Sequence, residues 1–426
     1  MNVAVIGSGG REHALALKIS ESLSLTNLYI LPGNPGTSHC GTNVKIDLKD
    51  FYAIKNFCKE KDISLVLIGP EAPLVAGLCD YLKEIGINVF GPSSKAARIE
   101  SEKSFAKKLM IDNNIPTAAF HEFTSKQHEE AKNYLMQIKY PCVIKADGLA
   151  AGKGVLICED KDAALTGLDV MFLDNKFGKA GKKIIVEEFL EGEEASIFAI
   201  TDGENFICLP SSQDHKRIGE NDTGLNTGGM GAYSPAPIVT DKILEEIKSK
   251  IIKPVLTALR KSGNNFIGCL YAGLMLTEVG PKVIEFNCRF GDPETQAVLP
   301  LINGDFLKLL YSAAEGNLDK DTIAYNKGCS ICVVISSKGY PENYEKGYEI
   351  KGLDKLTDPS VIVYHAGTKK SGDKILTNGG RVLGVTAFSN DIDFKFVKNK
   401  VYQNLEKINF DGMYYRRDIA HRVLKK

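Results

Sequence analysis

The first hundred residues alternate short apolar runs with amphipathic stretches, and this alternation restricts the fold more than any other feature of the chain. Val3–Ile6, Leu28–Leu31, Leu65–Ile68 and Asn88–Phe90 are aliphatic-rich runs that read as strands. His13–Ser22, Phe51–Lys59 and Leu74–Ile85 between them read as helices. Strand–helix alternation at this spacing predicts a parallel sheet with helices on its faces. Ligands of such sheets sit at the carboxyl ends of the strands. Those ends are Gly7–Gly10, Pro32–Gly36, Gly69–Glu71 and Gly91–Ser93, all turn-forming and able to bring backbone close to a ligand.

From Glu102 onward the pattern changes. A helix is predicted over Lys103–Asn113 and another over His128–Ile138, followed by strands at Cys142–Lys145 and Val155–Cys158 around a Gly-rich loop. Further strands are expected at Ile184–Glu188, Ala195–Thr201 and Phe206–Pro210, then a helix over Asp241–Ser262 and strands at Gly268–Thr277 and Val283–Arg289. The last hundred residues read as short strands closed by a helix over Asp393–Ile408. A chain of 426 residues has room for several domains. The expected divisions are 1–101, 102–325 with a mobile lid at about 121–188, and 326–426.

Bulk properties exclude some classes of partner. Lys+Arg and Asp+Glu are both 53, so net charge gives no sign of a nucleic-acid partner. Of ten cysteines only Cys329 and Cys332 have C-x-x-C spacing, within a run that reads as a buried strand, and no second pair completes a zinc site. The thiols read as reduced core groups, which suits a reducing compartment. Asn2–Ile6 stops at Gly7 without a basic flank, so no targeting peptide is expected, and no stretch approaches a membrane span. The expectation is a cytoplasmic protein with no membrane and no nucleic-acid partner.

Gly7-Ser-Gly-Gly-Arg-Glu12 follows the first strand, but a dinucleotide fingerprint needs Gly where Glu12 stands. Backbone N–H groups of Gly9 and Gly10 at a helix N-terminus suit a phosphate monoester instead. Lys145-Ala-Asp-Gly-Leu-Ala-Ala-Gly-Lys-Gly154 lacks P-loop spacing. A lysine at a strand end facing a flexible hairpin, with Gly152 and Gly154 in it, can still hold a phosphate as the loop closes. In Glu187-Glu-Phe-Leu-Glu-Gly-Glu-Glu194, backbone at Phe189 and Leu190 can read an adenine edge and Glu194 can take ribose hydroxyls; a plain charged turn fits as well. Asp214-His-Lys-Arg217 and Thr227–Pro235 flank a polar loop of the kind that carries function, with His215 either a general base or a hydrogen-bonding support.

The stretch Val283–Gln296 carries the most chemistry. Strand side chains alternate, so Glu285, Asn287 and Arg289 are expected on one face and Ile284, Phe286 and Cys288 on the other. A carboxylate with an amide oxygen suits Mg²⁺ that also takes phosphate oxygens. Arg289 can neutralise charge that develops in phosphoryl transfer.

The order Lys103, Lys145 with its Gly-rich loop, Glu187–Leu190 and Glu285-x-Asn287 resembles the ATP-grasp superfamily. Within it, Gln213–Arg217, Asn226–Pro237, Tyr271–Met275 and Phe290–Gln296 look like the phosphoribosylamine–glycine ligases, and Gly7–Ala14 and Gly69–Leu74 match as well. The resemblance implies an α/β and α+β multidomain fold: a Rossmann-like N-terminal parallel sheet, a central ATP-grasp fold and a mostly-β C-terminal domain. It implies a ligase that activates glycine as glycyl phosphate and joins it to 5-phosphoribosylamine, with ATP as substrate and Mg²⁺, or Mn²⁺ in its place, as the metal. Residue by residue, it places Lys103, Lys145, Gly152 and Gly154 at the ATP phosphates. Glu187, Phe189 and Leu190 fall at the adenine and Glu194 at the ribose. Glu285 and Asn287 fall at the metal, and Arg289 and Asp214 at the chemistry. Gly9, Gly10, Pro70, Glu71, Lys216 and Asp292 fall at the other substrates. The preceding strand reads Leu274-Met275-Leu276, so no further metal-binding carboxylate is expected from it. A monomer or weak homodimer is expected. The alternatives are another ATP-grasp ligase or carboxylase, and a nucleotide sensor on the same scaffold.

Overall fold

The computed structural model describes residues 1–149, 154–173 and 181–424. The first segment forms a five-stranded parallel sheet of β1 (Asn2–Gly7), β2 (Asn27–Pro32), β3 (Thr42–Asn43), β4 (Ile63–Ile68) and β5 (Asn88–Phe90), in the order β3-β2-β1-β4-β5. Both faces are covered, which is why these strands are apolar throughout rather than alternating. Ala4, Ile6, Val66 and Ile68 enter one core and Val3, Val5, Leu65 and Leu67 another. The helix expected over 74–85 is two short ones, Glu71–Val75 and Leu78–Lys83. Gly77, at φ +91°, separates them in a left-handed conformation that only glycine adopts cheaply.

A four-stranded antiparallel sheet follows: β6 (Phe120–Thr124), β7 (Cys142–Ala146), β8 (Val155–Cys158) and β9 (Lys183–Glu188), ordered β6-β9-β7-β8. Helices His128–Leu135 and Lys161–Phe172 close a core of its own, including Leu135, Ile144, Leu168, Met171 and Val186. Several of its attachments to the rest of the chain are polar. The helix Lys103–Asp112 begins at Glu102, whose carboxylate is held by Arg98 at 2.9 Å and caps nothing. Asp147, just past β7, supplies the cap instead and accepts from the Ser104 N–H (2.9 Å) and hydroxyl (2.6 Å).

Six strands come next: β10 (Glu193–Thr201), β11 (Phe206–Cys208), β12 (Gln213–Asp214), β13 (Arg217–Gly219), β14 (Thr223–Asn226) and β15 (Gly231–Ser234). After a long helical stretch, β16 (Gly268–Thr277) and β17 (Gly280–Asn287) complete a sheet ordered β11-β10-β16-β17. Ile197 and Leu270 of β10 and β16 enter the first core of the parallel sheet, and Phe198 and Tyr271 the second. The two sheets are therefore welded through shared apolar packing. β12 and β15 leave this sheet and join the strands Cys329–Ser337, Arg381–Ser389 and Val361–His365. Cys329 and Cys332 point into different apolar clusters from that buried strand, and all ten cysteines are free thiols. Among the described residues, no helix is long and apolar enough to cross a membrane.

Candidate active site

The centre of the site is the end of β17. Strict alternation from Val283 to Arg289 fails at one residue. Gly273 pairs with Glu285 while Leu274 pairs with Val283, so Ile284 is the extra residue of a β-bulge. Ile284 lies outside the core that takes Val283, Phe286 and Cys288, which corrects its expected place on the apolar face. Its carbonyl instead accepts from Lys145 Nζ at 3.2 Å. Past the bulge the alternation resumes, with Phe286 and Cys288 buried and Glu285, Asn287 and Arg289 less so.

Glu285 faces a ring of cations. Burial alone would raise its carboxyl, but Lys216, Lys145, Lys103 and Arg289 outweigh that and hold it below the usual range. Lys145 also donates to Glu187 Oε2 at 3.0 Å, and Lys107 approaches the same oxygen at 3.1 Å. The Glu187 side chain is thus committed to two lysines. Phe189 and Leu190 lie half-buried in the turn after β9. Gly154 is buried just before β8, whereas Gly152 lies outside the described residues. Lys103 donates to the Gly148 carbonyl at 3.1 Å, and burial lowers its ammonium pKa.

The polar loop after β12 approaches Glu285 from the C-terminal sheet. Lys216 Nζ pairs with Glu194 Oε2 at 2.6 Å, and Glu194, Asp214 and Glu285 together lift its pKa well up against the cost of burial. Burial lifts the Asp214 carboxyl to about 7, with Lys216 opposing and Glu294 reinforcing. Glu294 accepts from the Tyr271 hydroxyl (2.9 Å), which meets Ser196 Oγ at 2.8 Å. His215 is fully buried, and both ring nitrogens are without a hydrogen-bond partner among the described residues. Burial and then Arg422 and Arg416 push it down to about 3, too low for a general base near neutral pH.

Arg289 joins this centre to the end of β4 and to the helix Ser94–Ser101 after β5. Its guanidinium lies 3.1 Å from Glu100 Oε1 and 3.4 Å from Glu71 Oε2. Glu100 also accepts from the Cys288 N–H at 2.7 Å, which fixes the chain direction leaving β17. Burial opposes ionisation of Glu71, but Arg289 and Arg11 keep it below the ordinary range; Pro70 precedes it at the start of its short helix. Asp292 accepts from Gln296 (2.7 Å) and pairs with Arg381 Nη2 (3.2 Å). Gly9 and Gly10 pack on this corner: a Cβ on Gly10 would lie 2.7 Å from Gln296 Nε2, and one on Gly9 3.8 Å from Asp292 Oδ2. The Gly9 N–H already donates to Glu12 Oε2 at 2.6 Å, so an anion there competes with the chain's own carboxylate.

The donor set for a metal is small. With the Asn287 amide nitrogen turned to Glu100 Oε1 (3.1 Å) and the Phe286 carbonyl (3.3 Å), its oxygen faces the other way. One ionised carboxylate and one amide oxygen fit Mg²⁺ that completes its shell with phosphate and water. Among the described residues, no group of three or more His, Cys, Asp or Glu side chains is arranged to hold a metal without such help.

Sequence reading missed Lys107, Glu100, Glu294 and Arg381. Lys107 had a signal, because it stands one helical turn after Lys103. Arg381 and Glu100 reach the site only through tertiary packing.

A lysine-ringed carboxylate beside a separately cored β-unit fits the ATP-grasp class, whose domain model matches residues 101–295. The chain is similar to the biotin carboxylase of Campylobacter jejuni, with a TM-score of 0.71 at 15% identity over 100% of this chain and 95% of that one. The models for the N, ATP-grasp (A) and C domains of phosphoribosylglycinamide synthetase match residues 1–100, 101–295 and 330–422. The phosphoribosylamine–glycine ligase of Caldanaerobacter subterraneus is 46% identical over 99% of both chains. A crystal structure of that ligase from Thermotoga maritima superposes with a TM-score of 0.85 at 33% identity, covering 98% of this chain and 100% of that one. The chain belongs to the phosphoribosylamine–glycine ligase family.

Proposed function

We propose that the chain makes glycinamide ribonucleotide from 5-phosphoribosylamine, glycine and ATP, for purine biosynthesis, through a glycyl phosphate intermediate. The observation that carries this reading is Glu285 within its ring of Lys103, Lys145, Lys216 and Arg289, with Arg289 paired to Glu71 just past β4. A carboxylate is a poor acyl donor and phosphate a good leaving group. In the first step a glycine carboxylate oxygen attacks the γ-phosphorus and the bond to ADP breaks. In the second the amine of phosphoribosylamine attacks the carbonyl, phosphate departs and the nitrogen loses a proton.

Lys103, Lys145, Gly152 and Gly154 hold the ATP phosphates. Backbone at Glu187, Phe189 and Leu190 meets the adenine, and Glu194 takes the ribose and releases Lys216 toward the phosphates. Glu285 and Asn287 would hold Mg²⁺, which when bound neutralises phosphate charge. Arg289, held by Glu100 and Glu71, faces the charge that develops at the transferring group. Asp214 and Asp292 border glycine, and Gly9, Gly10, Pro70 and Glu71 border phosphoribosylamine. The unit 121–188 closes over ATP as a lid, which its own core and polar attachments allow.

Glycine carrying heavy oxygen in its carboxylate tests the intermediate. One heavy oxygen should appear in each phosphate released; phosphate free of label would contradict an acyl phosphate.

A further inference from the structure

Lys107 belongs to none of the roles above, yet it is one of the most buried charges in the chain, 2% exposed. It stands one turn after Lys103 on the helix Lys103–Asp112. Its ammonium meets Glu187 Oε2 at 3.1 Å, Thr117 Oγ1 at 2.8 Å and the Ala118 carbonyl at 3.3 Å. An ammonium has three donors, and these three partners use them all. Thr117 is itself fixed, because it donates to the Val283 carbonyl of β17 at 2.8 Å. Lys145 shares the Glu187 oxygen but spends its second bond on Ile284, which leaves one donor for a ligand.

Two lysines on one carboxylate leave the buried triad with net charge +1. With Lys107 gone, Lys145 and Glu187 form a neutral pair, and a buried neutral pair attracts a polyphosphate far less. We propose that Lys107 is a positioning residue for nucleotide binding: it anchors Glu187 so that Lys145 keeps both its aim and its uncompensated charge toward the phosphates. This rests on the reading of Lys145 as a phosphate ligand.

The groups facing Lys107 are few. Glu187 and Glu188 come from β9 and Lys145 from β7, while the Phe120 ring of β6 lies 5.6 Å from its Nζ. Lys282 of β17 pairs with Glu188 at 3.1 Å and opposes its pull on Lys107. Burial brings Lys107 down to about 8, with Glu187 resisting. Lys103, also lowered by burial, is drawn to Glu285 and not to this triad.

The test is kcat/KM for ATP against pH in the whole enzyme and in K107M, K107R and K145M. K107M should raise KM for ATP about tenfold, the size of one pKa unit of lost coupling, with a smaller change in kcat. In the parent enzyme kcat/KM for ATP should fall as pH rises through about 8, where Lys107 loses its proton. K107R should restore KM and move that fall to higher pH, because a guanidinium does not titrate there. Unchanged KM in K107M, or an unmoved alkaline fall in K107R, overturns the proposal. If K145M keeps its ATP affinity, the phosphate role of Lys145 is what fails. If K145M loses affinity while K107M keeps it, only the role of Lys107 fails. Should K107M not fold, K107R and its pH profile still decide.

Discussion

Asp214 is a residue whose charge depends strongly on where it sits. Its carboxyl is lifted to about 7 in the fold, from an ordinary unfolded value of about 3.9. The sign of the effect on stability follows. The fold favours the protonated form, so the contribution is fully present below about pH 4 and is lost as pH rises through about 7. D214N cannot ionise and keeps what the parent loses. Thermal unfolding should show D214N gaining on the parent between pH 4 and pH 7 and holding that gain above. A constant difference across the range would contradict the burial argument. At this scale the sequence marked Lys103, Lys145, Lys216, Glu285 and Arg289, and they surround one point. It marked them through motif and alternation, which are local. Glu100 and Arg381 were not legible, because only tertiary packing brings their side chains to Arg289 and Asp292. The Glu187 carboxylate was legible as part of a charged run, but its two lysine partners come from other elements.

Elements were most legible where the sequence period was clean. The β1 and β4 runs read directly as buried parallel strands. The bulge at Ile284 was not readable, because an inserted residue leaves the local pattern almost unchanged and shows only in the pairing with β16. The split helix at Gly77 had a signal, since the glycine falls inside the expected helix. The cap on Lys103–Asp112 comes from Asp147, some forty positions on, and no local rule places it. That cap ties the β6–β9 unit to the helix that begins with Lys103. D147A should cost about 1 kcal/mol of stability in urea unfolding, the usual loss for an N-cap. It should also raise KM for ATP more than it lowers kcat, because the unit comes loose from Lys103. A KM unchanged at full loss of the cap would separate the unit from nucleotide binding.

At the scale of the whole molecule, the chain crosses between its sheets before each is finished. β12 and β15 belong to the sheet built by residues after 329, so the loop with Lys216 is carried by the C-terminal part while Glu285 is carried by the central sheet. The end of the chain locks that loop. Arg416 is fully buried, pairs with Asp222 (2.9 Å) and Asp418 (2.7 Å) and donates to the Arg217 carbonyl (3.0 Å). Arg422 adds bonds to Asp222 and to the Asp214 carbonyl. R416A leaves Asp418 without its guanidinium and Asp222 with only that of Arg422, and should cost about 3 kcal/mol. Its effect should be read in unfolding and in kcat together, and full activity with full stability would contradict the clamp. This long-range closure was the least legible part of the fold, since nothing in residues 413–424 announces contact with residues 214–226.

The central claim is that the ring of cations around Glu285 serves the joining of glycine to phosphoribosylamine. ADP release should be followed with Mg·ATP and freshly made phosphoribosylamine while the carboxylate is varied. Glycine should drive ADP release, with bicarbonate and larger amino acids far behind. No release with glycine, or equal release with bicarbonate, would contradict the account.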